Sequence, residues 1–234
     1  MRQRESLLPD RPDRPREDRQ APHQRLGEMP TLVAEIVPQA LKQMRLVSER
    51  GPARKAVRAA AKLSAQVNPQ SATIRLSELL RARKLVDAAA LSVHAAEEFP
   101  GEAAAELACR AGAACRDASE TDLAILSFTS AVLAAPPCEP ACRQLADLFL
   151  EWARPRQGPS RAQLYAPARI DLEEEERDPR LALIWLEFLA RALRVQGADG
   201  EAVAVYQRLL TMAPGREDLR SVLRQAATTG RLPD

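Results

Sequence analysis

Rings are scarce in this chain: eight of its 234 residues are Phe, Trp or Tyr, and two are His. The 46% hydrophobic share is carried instead by 43 Ala and 31 Leu, a composition suited to helices packed at close range and too apolar for a fully disordered chain. Net charge is also nearly missing. Thirty of the 34 basic residues are Arg, but 32 acidic residues offset them to leave +2, so bulk electrostatics gives no argument for nucleic acid. No apolar run approaches the ~18 residues of a membrane span, and the basic N-terminus lacks the apolar stretch of a secretory signal behind it. Those absences predict a soluble, cytoplasmic protein.

Cysteine is limited to Cys109, Cys115, Cys138 and Cys142. Without a secretory signal, reduced thiols are expected rather than a disulfide framework. Their spacing, C-x5-C then C-x3-C, does not match the paired close spacings of structural zinc sites. Cys115 and Cys142 fall on expected core faces, and Cys109 and Cys138 on partly exposed ones. Catalytic signatures are missing too: there is no Gly-rich phosphate loop, no G-x-S-x-G and no H-E-x-x-H. His94 has no orienting partner in the sequence and is expected at the surface or in a groove. The chain is therefore read as a non-enzyme with no cofactor and no metal.

Residues 1–30 hold five Pro, seven Arg and six acidic residues with almost nothing apolar to bury, the mark of a disordered tail. Met29 offers an alternative start of translation. From Thr31 onward apolar residues recur three and four apart, predicting helices over about 31–49, 53–67, 70–83, 86–98, 102–116, 120–134, 139–154, 179–196, 200–212 and 216–227. Nothing reads as a strand. Short connections such as Phe99-Pro100-Gly101 force successive helices antiparallel, giving a row of hairpins.

Aligning the hairpins on the Pro that ends the second helix exposes a repeat. Before Pro136 stand Ala131, Phe128, Ala124 and Gly112; before Pro214 stand Leu209, Tyr206, Ala202 and Ala190 at the same offsets. A weaker copy precedes Pro100, with Ala95, Ser92, Ala88 and Leu76, and the weakest ends near Pro69, where Leu41 and Met44 fit. Small residues at such positions let paired helices approach closely, while Phe128 and Tyr206 wedge between hairpins.

This pattern resembles the tetratricopeptide repeat (TPR), W-x2-L-G-x2-Y then A-x3-F then P over about 34 residues. The leading Trp is replaced by Ala108 and Leu186 in the two strong copies. The resemblance implies an all-α, TPR-like solenoid over residues 31–234, of roughly four hairpins and a C-terminal capping helix. Pro136 and Pro214 lie further apart than two repeats, which points to an irregular insertion at about 155–178. There the helix 139–154, with Ala141, Cys142, Leu145, Ala146, Phe149 and Trp152 on one face, looks like a first helix whose partner has been replaced by a Pro-rich and acidic segment.

By that resemblance the first helix of each hairpin lines a concave groove. It places there Thr73, Ser77 and Arg81, then Arg116 with Asp117, Arg143 with Asp147, and Glu187, Arg191 and Arg194. An arginine-lined wall suits an acidic or carboxylate-bearing segment of a partner protein. The expected function is that of a non-catalytic adaptor or scaffold binding a peptide or helix in this groove. Alternatives are a chaperone for a secreted or assembly-prone substrate and an RNA-binding helical-repeat protein; nucleic acid is disfavoured by the small net charge and by aromatics at packing positions. An enzyme with the insertion as a lid lacks a nucleophile and base.

Overall fold

A computed structural model describes residues 28–63, 68–153 and 179–232. The described residues form ten helices and no strand: α1 (Glu28–Ser48), α2 (Gly51–Ala60), α3 (Pro69–Arg81), α4 (Leu85–Glu98), α5 (Glu102–Asp117), α6 (Thr121–Ala134), α7 (Glu139–Ala153), α8 (Pro179–Val195), α9 (Asp199–Met212) and α10 (Glu217–Thr229). The expected tail over residues 1–27 and the insertion at 155–178 lie outside the described residues. Residues 28–30 belong to α1 rather than to a tail, with Pro30 in the first turn, where its missing N–H costs nothing.

Local chemistry explains the helix ends. Pro52 opens α2 and Pro69 opens α3, where the Asn68 side chain accepts the Ser71 N–H at 2.8 Å. The turns α3–α4, α5–α6 and α8–α9 are built alike. Arg83, Ser119 and Gly197 take positive φ at equivalent places, and the next amide in each turn (Lys84, Glu120, Ala198) bonds back to the carbonyl of Leu79, Cys115 or Leu193 at 2.9 Å. These three hairpins are the ones that carry the aligned repeat. All twelve of its aligned positions, from Leu76 to Leu209, are buried.

Helix order in space departs from the expected one in two places. Ion pairs of α7 with α9 run in step along both helices, Arg143–Glu201 at 3.1 Å and Asp147–Arg208 at 3.0 Å, so these two are parallel. Glu139 at the start of α7 meets Gln196 just past α8, so α8 lies antiparallel to α7. Thus α8 is the helix that partners α7, and no partner has been replaced by the insertion. On one side α3 packs beside α5, α5 reaches α7 through Arg116, and α7 pairs with α9, making one row; on the other, α4 packs beside α6 to make a second, whose side α8 takes by packing against α7 and α9.

The hairpin α1–α2 makes its main contacts with this second row, not with α3. α2 packs on α4 and α6; α1 lies against α6 and α8, tied by Arg50–Asp122 at 3.5 Å and by an Arg191–Glu35 ion pair. It is a third layer and not the first hairpin of the row. The reason lies in α6, which has no charged residue after Asp122, buries all but one of Leu123–Ala134, and needs cover on every side. Ser127, Thr129 and Ser130 are tolerated there because their hydroxyls bond to Ser92 or to helix carbonyls. His94 of α4 is likewise interior, 4% exposed, which corrects the expectation of a surface or groove histidine.

Candidate functional site

Residues Glu102, Ala105, Glu106, Cys109, Arg110 and Ala113 recur three and four apart on α5 and so share one face. That face forms one wall of a cleft of about 730 Å³. The opposite wall is the turn Ala135-Pro136-Pro137-Cys138 with Glu139 and Pro140 of α7, and Met29 and Gln196 close the end. A smaller cavity of about 350 Å³ shares Cys109, Ala113, Glu139 and Pro140 and continues to Phe128, Arg143 and Gln144. The lining is mostly apolar.

Charge at the rim is mixed and leans acidic, with Glu102, Glu106 and Glu139 against Arg110, whose guanidinium also donates to Ser77 at 3.3 Å. Burial pushes the Glu139 carboxyl above its ordinary value, against the opposing effects of the Gln196 amide and Arg143. Within the cleft the Sγ atoms of Cys109 and Cys138 lie 3.8 Å apart. The two thiols are in hydrogen-bond contact, in which either can donate; this contact, with the Ala141 N–H, holds the Cys138 thiol below its usual range, while the contact and burial push Cys109 up. Cys115 and Cys142 are fully buried, as expected, and burial pushes Cys115 up to about 12. Among the described residues no three metal-ligating side chains are grouped to hold an ion.

No family model, curated protein or solved structure matches this chain.

Of the ten residues placed in a groove from sequence, only Arg143 borders this cleft system. Thr73 and Ser77 turn their hydroxyls back onto the carbonyls of Pro69 and Thr73, and Arg81 is exposed at the end of α3. Arg116 reaches across to Gln144 and Glu151 of α7, and Arg143 and Asp147 are paired with α9. Glu187, Arg191 and Arg194 are not on the same row. They sit on α8, where Glu187 meets Arg216 at 3.5 Å, Arg191 meets Glu35, and Arg194 bonds to Tyr206. The expected arginine wall is therefore divided between two rows and largely engaged in internal pairs. The cleft residues on α5 were legible as a helical stripe, but their facing wall is a turn that periodicity does not reveal.

Proposed function

We propose that this chain is a non-catalytic protein–protein interaction module, an adaptor or scaffold of TPR-like hairpins that holds a helix or extended segment of a partner in the cleft between α5 and the start of α7. The observation that carries this reading is the cleft itself. It is large enough for several side chains, has apolar walls at Ala105, Ala113 and Pro140, and is rimmed by Glu102, Glu106 and Glu139. In place of the acidic segment expected from the arginine count, these carboxylates favour an apolar segment carrying basic residues. The resemblance to TPR proteins supports the adaptor role, and the four free thiols accord with action in the cytoplasm. No helix among the described residues is long and apolar enough to cross a membrane.

The test is affinity capture with the intact chain, followed by binding measurements on the partner recovered. Glu106 and Ala113 are both exposed, so the double variant Glu106→Lys, Ala113→Arg should leave helicity intact while abolishing capture. Charge reversal at Arg81, exposed at the end of α3 and away from the cleft, should leave capture in place. The opposite pattern would move the binding surface away from the cleft.

A further inference from the structure

Cys138 immediately precedes α7, where the unpaired amides of the first turn point outward, and its sulfur accepts the Ala141 N–H. A thiol in that position is stabilised as thiolate, the form that attacks disulfides. Cys109 projects from the middle of α5 to within 3.8 Å of it. Both line the cleft and both are partly exposed, whereas Cys115 and Cys142 are sealed in the core. One pair of thiols thus meets three requirements together: an activated nucleophile, a second thiol in contact, and a path for a small oxidant.

We propose that Cys109 and Cys138 form a reversible redox couple that reacts with low-molecular-weight disulfides. This does not depend on which partner the cleft binds. The Cys138 thiolate attacks one sulfur of the disulfide RSSR; a Cys138–SR bond forms, the RS–SR bond breaks, and the first RS⁻ leaves and takes a proton. Cys109 then gives up its proton, attacks the Cys138 sulfur and expels the second RS⁻, which is protonated in turn. Two protein thiols are oxidised to one disulfide, and RSSR is reduced to two RSH. Closing 3.8 Å to the about 2.05 Å of an S–S bond requires side-chain rotation, which is eased because Cys138 lies outside the body of α7. The product bond ties α5 to the start of α7 across the cleft, so oxidation state and cleft geometry become linked.

Full-length reduced protein is incubated with oxidised glutathione, quenched with an alkylating agent and mapped by peptide mass spectrometry. The expected result is a single Cys109–Cys138 cross-link, with Cys115 and Cys142 alkylated only after denaturation. Cys109→Ser should accumulate a glutathione mixed disulfide at Cys138, and Cys138→Ser should slow reaction at Cys109 by about tenfold or more. In the unmodified chain, which needs no variant to fold, alkylation of Cys138 should outpace that of Cys109 at neutral pH. A cross-link through Cys142, equal reactivity of the two thiols, or four free thiols after incubation would overturn the proposal.

Discussion

A Cβ built on Gly112 would lie 2.8 Å from two ring carbons of Phe128. The α5–α6 contact, the most extensive between any two helices described, is thus set by a missing side chain on one helix and a ring on the other. Gly112→Ala gains about 1 kcal/mol of helix propensity but must displace a ring that is itself fully packed, a strain of about 1–3 kcal/mol. The net expectation is a loss of up to about 2 kcal/mol in chemical denaturation. Adding Phe128→Leu should recover part of it, and equal or greater loss in the double variant would contradict this packing.

The burial of α6 between two layers makes a second expectation. Leu123 and Ile125 point to nearly opposite sides of the helix, about 160° apart, with Leu126 beside Leu123, yet each is at most 1% exposed. Replacing any one with Ala should cost about 2–5 kcal/mol. In an amphipathic helix with a solvent face, at least one of the three would fall within about 0.5 kcal/mol of neutral.

Placement of α1 across the second row is tested through Glu35 and Arg191. Each single charge reversal should lower stability slightly, and Glu35→Arg with Arg191→Glu should restore it, with a coupling of about 0.2–1 kcal/mol for such a solvent-accessible pair. No coupling would place α1 elsewhere.

Glu139 supplies a pH dependence. Its folded pKa is raised above the ordinary 4.5, so the folded protein holds this proton more tightly than the unfolded chain does. The stabilisation it contributes is complete below that ordinary value and is lost as pH rises through the raised one. Glu139→Gln should therefore be more stable than the unmodified chain at pH ~7 and level with it below pH ~4. Solvent screening keeps the gain well under the about 1.4 kcal/mol of a full unit. A difference that grows on acidification would reverse the sign assigned to this carboxyl.

Most helix extents, turn positions and the small and aromatic repeat positions were readable from sequence because each depends on residues close in the chain; the exception is α2, expected over 53–67 but ending at Ala60. A Pro or a positive-φ turn ends a helix wherever it folds, and Gly112, Ala124 and Phe128 are neighbours within one hairpin. What only the tertiary structure decided is which helix pairs with which across long connections. α8 buries residues over most of its circumference, so it can serve both α7 and α9, and no short turn constrains its order after residue 153. That choice put α9 beside α7, and it carried Glu187, Arg191 and Arg194 to the second row. The uncharged surface of α6 signalled a need for cover, but any apolar helix face could have met it. Apolar burial carries no direction, so local pattern determined the elements while packing alone chose α1 as the cover and formed the cleft between α5 and the turn at Cys138.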